Sequence, residues 1–214
     1  MKAAMARLVG KALVIFARVL TGVRAFRSTD AASSSQTVYF ANHASHADFV
    51  LIWATLPEQQ RRRTRPVAAA DYWTGSGLRT FVGARVFHAL LIERTPRADG
   101  PDPIRQMADA LRGGDSLIMF PEGTRNMGDE ALLPFKSGLY RLALACPEVR
   151  LVPVWIDNLK RVLPKGATVP LPLACTVHYG APIALAEGDD KASFLARAQQ
   201  SLLALRPRQN EDHP

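Results

Sequence analysis

Residues Thr37-Val38-Tyr39-Phe40-Ala41 form a short apolar run that ends abruptly in a polar elbow, Asn42-His43-Ala44-Ser45-His46-Ala47-Asp48. A helical pattern, Phe49 to Leu56, follows at once. A strand that breaks into a polar turn and re-enters as a helix is the repeating unit of α/β folds. Such folds place their chemistry at the carboxyl ends of the strands. This elbow carries two histidines, an asparagine, a serine and an aspartate.

The pattern recurs along the chain. Pro66–Ala70, Val86–Ile92, Ser116–Phe120, Leu151–Ile156 and Cys175–Tyr179 read as strands. Gly77–Gly83, Pro101–Leu111, Lys136–Ala145 and Ser193–Leu205 read as helices. Val86–Ile92 is apolar except for His88, as a strand covered on both faces should be. The alternation predicts an α/β domain over residues 37–205, a mostly parallel sheet covered by helices. A polar tail, 206–214, follows it. At 214 residues the chain suits one such domain. A hydrophobic share of 48% with 21% charged residues excludes a disordered chain. Cys146 and Cys175 offer neither a metal spacing nor a disulfide framework, which points to a reducing compartment.

Charge is unevenly spread. Residues 1–97 hold 14 Lys/Arg against 5 Asp/Glu, and residues 98–214 hold 13 against 14. A one-sided positive surface implies an anionic partner, nucleic acid or lipid headgroups. In residues 1–29, Arg7, Lys11 and Arg18 fall within about 40° of one another on a helical wheel. Leu8, Val9, Leu13, Ile15, Phe16, Val19 and Leu20 lie elsewhere on the wheel. That predicts a basic amphipathic helix at a membrane interface. Its apolar runs are shorter than the roughly 18–20 residues that span a bilayer. A helix packed on the protein's own core and a signal peptide are alternatives. Residues 30–36, rich in Ser and Ala, read as a linker. Arg61-Arg62-Arg63-Thr64-Arg65 reads as an exposed basic turn.

Ser45-His46-Ala47-Asp48 fits a capping box, with Ser45 as N-cap and the helix starting at His46. Asp48 would then reach back to His43, hold one ring nitrogen and leave the other as a general base. Metal binding by His43, His46 and Asp48 is an alternative, as is a purely capping Asp48. Ser45 lacks the flanking glycines of a nucleophile elbow. A second polar elbow, Pro121-Glu122-Gly123-Thr124-Arg125, follows Ser116–Phe120. Arg125 offers a bidentate fork for phosphate, and Glu122 would hold Arg125 or bond an acceptor's hydroxyls. Arg94 closes the run Val86–Ile92. Parallel strands would bring these ends to one crevice, a base beside an anion clamp.

Over residues 37–180 the chain resembles the glycerolipid acyltransferases typified by 1-acyl-sn-glycerol-3-phosphate acyltransferase. Asn42-His43 followed by Asp48 matches their first motif, and Phe120-Pro121-Glu122-Gly123-Thr124-Arg125 matches another without change. Pro134-Phe135-Lys136-Ser137-Gly138 and Val152-Pro153-Val154 also fit. Ile92-Glu93-Arg94 is a looser match, with His88 where a glycine is usual.

The resemblance implies direct acyl transfer from acyl-CoA or acyl-carrier protein to the free hydroxyl of a lysophospholipid, 1-acyl-glycerol-3-phosphate in the first instance. His43 would be the base and Asp48 its partner. Arg94, Glu122, Gly123, Thr124, Arg125 and Lys136 would hold the acceptor, and Pro153 would shape the acyl side. No metal or cofactor is expected. Residues 1–29 would hold the domain on an anionic membrane, at the cytoplasmic face of the inner membrane. A lyso-ornithine lipid, another lysophospholipid or a glycolipid is an alternative acceptor. A nucleic-acid-binding domain is a distant alternative, since no reading motif or interleaved aromatics accompany the arginines.

Overall fold

The computed structural model describes residues 2–28, 36–73, 77–93, 100–159 and 174–207. Among the described residues seven strands form one sheet: β1 (Arg24–Arg27), β2 (Thr37–Ala41), β3 (Thr64–Ala69), β4 (Leu90–Ile92), β5 (Ser116–Met119), β6 (Arg150–Asp157) and β7 (Thr176–Tyr179). Their spatial order is β1-β7-β6-β2-β5-β3-β4. β6, β2, β5, β3 and β4 run parallel, while β7 is antiparallel to β6 and parallel to β1. The sheet is mostly parallel, as the sequence predicts, with a reversed edge.

Alternation along β2 divides the core. Tyr39 and Ala41 join Ile118, Val152 and Val154 against Leu51, Ile52 and Trp53 of helix α2 (Asp48–Thr55). Val38 and Phe40 join Leu117 and Leu151 on the other face. Helices α6 (Pro103–Arg112), α7 (Gly138–Ala145) and α8 (Lys191–Leu203) cover that second face. Short helices α3 (Glu58–Arg62), α4 (Ala70–Trp73) and α5 (Gly77–Phe81) complete the connections. In register, Phe40 lies beside both Met119 and Pro153. β2 and β5 therefore end at the same level, and the elbows that follow them are neighbours.

Helix α1 (Lys2–Thr21) is shorter than the predicted 1–29 segment. It stops at Gly22, whose φ of 51° is left-handed and ends the helix without steric cost. Arg24–Arg27 then adds an edge strand, with Phe26 stacked on His178 at 4.8 Å. α1 packs on the domain through its small side: Ala6, Gly10, Val14, Ala17 and Thr21 are buried. Arg18 donates two bonds to the Ala54 carbonyl, at 3.2 and 2.8 Å. The bulky apolar residues face out: Met5, Leu8, Ile15, Phe16 and Val19 are all exposed, Val19 by 80%. These five span an arc of roughly 100° on the helix. Packing on the core and displaying an apolar stripe are thus properties of two faces of one helix. Among the described residues, no helix is long and apolar enough to cross a membrane.

Two further expectations change. Val86–Ile92 is a strand only over Leu90–Ile92. Val82–Val86 instead forms a π-helical turn, closed by Phe87 N–H donating to the Val82 carbonyl at 3.1 Å. His88 follows with φ of 49°, which breaks the extended backbone. Arg61–Arg65 is not one exposed turn either. Arg61 and Arg62 end α3, while Thr64, only 2% exposed, opens β3. Arg65 bonds Asp115 at 3.0 Å and the His88 carbonyl at 2.7 Å.

Candidate active site

The first elbow is built around Asp48. Its Oδ2 accepts the His43 Nδ1 hydrogen at 2.9 Å, the Ala44 N–H at 2.7 Å and the Ser45 N–H at 2.8 Å. The Asp48 side chain is 2% exposed and that of His43 20%. A buried carboxylate with three donors is held in one position. With Nδ1 engaged, Nε2 is the nitrogen left to take a proton.

The predicted capping box forms by half. Asp48 reaches back to the Ser45 N–H, but the Ser45 hydroxyl accepts from Ala47, at 3.2 Å, and α2 starts at Asp48 without a side-chain cap. His46 and Ala47 lie in the turn before the helix. The Asp48 carboxylate at the start of α2 also meets the positive end of the helix dipole.

Asn42 fastens the elbow to the sheet. Its amide donates to the Ile156 carbonyl at 2.9 Å and accepts the Ile156 N–H at 2.8 Å. The side chain thereby extends the β2–β6 ladder by one rung.

The second elbow is tied directly to the first. Glu122 Oε1 accepts the His43 N–H at 2.7 Å, and Oε2 accepts the Leu133 N–H at 2.8 Å. The Asn126 N–H donates to the His43 carbonyl at 2.6 Å. The Phe120 ring stacks on the His43 imidazole at 4.1 Å. His43 is therefore gripped through its N–H, its carbonyl and its ring face. Burial pushes the Glu122 carboxyl above its ordinary value, against the opposing pull of the Leu133 and His43 donors. Glu122 is 2% exposed. Both of its oxygens brace backbone, and no bond joins it to Arg125 among the described residues.

Gly123, Thr124 and Lys136 are exposed and Arg125 is half-buried. Gly123 has φ of 69°, and a Cβ there would lie 2.8 Å from the Lys136 side chain. The Lys136 side chain is thus folded over the glycine, and the backbone N–H of Lys136 donates to the Pro121 carbonyl at 2.8 Å. The elbow offers a guanidinium, an ammonium, a hydroxyl and open backbone to an anion.

Not every expected residue joins this site. Arg94 lies outside the described residues. Pro153 is buried inside β6 opposite Phe40, and its ring packs where a Cβ on Gly180 would come within 2.9 Å. It is absent from the walls of the cleft beside His43, as are Gly123, Thr124, Arg125 and Lys136. Among the described residues, no three His, Cys, Asp or Glu side chains converge as a metal site.

The cleft beside His43 has a volume of about 680 Å³. Asp48, Glu122, Asp129, Glu130, Asp157 and Arg206 are among the residues that line it. Sequence reasoning missed Asn126, whose side chain holds the following loop by bonding the Glu130 carbonyl at 2.8 Å and the Gly128 N–H at 3.0 Å. An asparagine directly after the Arg125 motif was the available signal.

Comparison with known proteins gives the chain a family. The sequence model of the family described as Acyltransferase matches residues 23–157. A Limnanthes alba protein named 1-acyl-sn-glycerol-3-phosphate acyltransferase is 30% identical over 71% of this chain and 51% of its own length. The Escherichia coli protein of the same name is 29% identical over 62% of this chain and 51% of its own length. The chain thus spans about half the length of these relatives. The solved structure of PlsC, the 1-acyl-sn-glycerophosphate acyltransferase of Thermotoga maritima, shares the fold. Its TM-score is 0.71 at 19% identity, over 94% of this chain and 79% of that one. With its paired elbows and a family match over more than half its length, the chain belongs to the Acyltransferase family.

Proposed function

We propose that this chain moves a fatty acyl group from a thioester, acyl-CoA or acyl-carrier protein, to the free hydroxyl of 1-acyl-glycerol-3-phosphate, giving phosphatidic acid. The observation that carries this reading is the His43–Asp48 pair at 2.9 Å, locked to the Glu122–Asn126 loop. His43 Nε2 takes the proton of the acceptor hydroxyl. The alkoxide attacks the thioester carbonyl and a C–O bond forms. Collapse of the tetrahedral intermediate breaks the C–S bond, and the leaving thiolate takes the proton from the imidazolium. Asp48 stabilises that imidazolium and fixes its tautomer. Thr124, Arg125 and Lys136 hold the acceptor's phosphate. The shared name of the relatives supports this acceptor.

The exposed stripe of α1 lies in the lipid interface, on the cytoplasmic face of the inner membrane. Arg7 and Lys11 beside it meet anionic headgroups. This lets the cleft meet substrate and product without removing either from the bilayer.

One observation favours a second acceptor. Among the described residues, Asp129, Glu130 and Asp157 line the cleft beside His43, against Arg206. That charge suits an amine-bearing headgroup such as a lyso-ornithine lipid or lysophosphatidylethanolamine.

Purified protein supplied with acyl-CoA and a panel of lyso-acceptors decides between them. Thiol release that is fastest with lysophosphatidic acid supports the first reading. Release only with amine-bearing acceptors supports the second. No acceptor-dependent release from acyl-CoA or acyl-carrier protein contradicts both.

A further inference from the structure

A second cleft, of about 810 Å³, opens between α1, α3 and the π-helical turn. Arg7, Lys11, Arg61, Arg62 and Arg85 line it, with Glu58 as the opposing charge. Trp53 and Phe87 form its apolar wall. None of these residues belongs to the site described above.

The cleft lies at the other end of the molecule from His43. Asp48 starts α2 at the carboxyl edge of the sheet, and Trp53 lies further down the same helix. α3 then delivers the chain to Thr64, which is in register with Ser116, the first residue of β5. Arg61 and Arg62 are thus at the amino edge, roughly one strand length, about 15 Å, from the catalytic elbow.

Its cations are crowded. Arg61 stacks over the Trp53 ring at 5.3 Å and reaches the Leu56 carbonyl at 3.4 Å. Burial, then the nearby Arg18 charge, hold the Arg61 guanidinium below its ordinary value. Arg62 is paired with Glu58 at 2.6 Å. Lys11 and Arg85 are exposed on opposite walls. An anion between those walls would relieve mutual repulsion.

Leu8 lines the cleft and also belongs to the outward apolar stripe of α1. A ligand entering beside Leu8 would be anionic in the cleft and apolar along the stripe, the two ends of an acidic phospholipid.

We propose that this cleft binds the phosphate headgroup of an anionic membrane lipid, as a docking site separate from the catalytic centre. The proposal rests on α1 lying in the membrane interface. A bound lipid would hold α1, α3 and the π-helical turn together at the headgroup level and fix the orientation of the domain.

The test uses the full chain, vesicles of phosphatidylcholine with or without phosphatidylglycerol, and soluble dihexanoyl phosphatidylglycerol. The wild type should prefer the anionic vesicles. Lys11→Ser with Arg85→Ser should reduce that preference roughly 30-fold, two cations each contributing about fivefold. Binding to phosphatidylcholine alone should not change. Arg105→Ser with Lys191→Ser, the same charge removed from α6 and α8, should have little effect. Equal losses in the two double variants, or no loss in the first, would overturn the proposal.

Dihexanoyl phosphatidylglycerol should bind the wild type and not the Lys11/Arg85 variant, without any bilayer. Inorganic phosphate competing equally well would overturn the lipid assignment. So would binding of acidic acyl-carrier protein that the Lys11/Arg85 variant loses while keeping its vesicle preference. Failure of the membrane reading shows separately, as wild-type protein that binds soluble lipid but no vesicle.

Discussion

The backbone N–H of His43 donates to Glu122 Oε1 at 2.7 Å, so the proposed base and the most buried acid of the second elbow are joined directly. The two residues lie 79 positions apart in the chain. Neither elbow can shift without the other. Glu122 uses its second oxygen on the Leu133 N–H, so both oxygens brace backbone.

Glu122→Gln should therefore act on kcat more than on the KM for the acceptor. A carboxamide has one acceptor oxygen, so one of the two backbone N–H groups loses its partner, at a cost of about 1–3 kcal/mol. Steady-state kinetics and denaturant unfolding check this. A large rise in acceptor KM with normal kcat would instead put Glu122 in the acceptor's binding site.

The same residue gives a pH signature. Burial raises the folded-state value of its carboxyl, so the folded protein binds that proton more tightly than the unfolded chain. The associated stability is full below the ordinary glutamate range and declines as pH rises through the window up to the raised value. The stability of the wild type relative to Glu122→Gln should accordingly fall as pH climbs through that window. Unfolding midpoints of both proteins across mildly acidic pH measure it.

Asp48→Asn keeps the size of the side chain but removes the charge that stabilises the imidazolium. Activity should fall by about 10²–10⁴ with the fold intact. Near-normal activity with unchanged circular dichroism would reduce Asp48 to a structural cap.

Gly123→Ala places a Cβ against Lys136 at a φ of 69°. The strain should cost roughly 1–2 kcal/mol and appear as a raised KM for the phosphate-bearing acceptor, measured by thiol release. An unchanged KM would remove this loop from acceptor binding.

Ile15→Ser with Val19→Ser should leave thermal stability unchanged, because both side chains are exposed. Vesicle partitioning should drop by about 1.5–3 kcal/mol per residue removed from lipid. Co-sedimentation reads this directly, and an unchanged partition would contradict a lipid role for the stripe.

Much of this architecture was legible in the sequence, because apolar strands and polar elbows are local patterns. β2, β5, β6 and the helices on the second face fall within a few residues of expectation. The pairing of His43 with Asp48 was also readable, since five positions of chain cannot separate them far. Long-range contacts set the rest. The roles of Asn42, Glu122 and Asn126 depend on strands that meet only in the folded sheet. Glu122 was read as a partner of Arg125 or of the acceptor from its place in a polar elbow, and its burial against two backbone donors left no mark in the sequence. Val86–Ile92 looked like a strand because composition does not record the positive φ of His88. The four-residue β1 is too short to announce itself and exists by pairing with β7. The apolar stripe of α1 was legible, but its packing face was hidden, because Ala6, Gly10 and Ala17 are too small to mark a buried side.

The most direct test of His43 as the base is acceptor-dependent thiol release by His43→Ala, with circular dichroism and unfolding midpoint recorded on the same sample. A folded variant with activity reduced by about 10³-fold or more supports proton abstraction by His43. A folded variant that transfers acyl groups at close to the wild-type rate would contradict it.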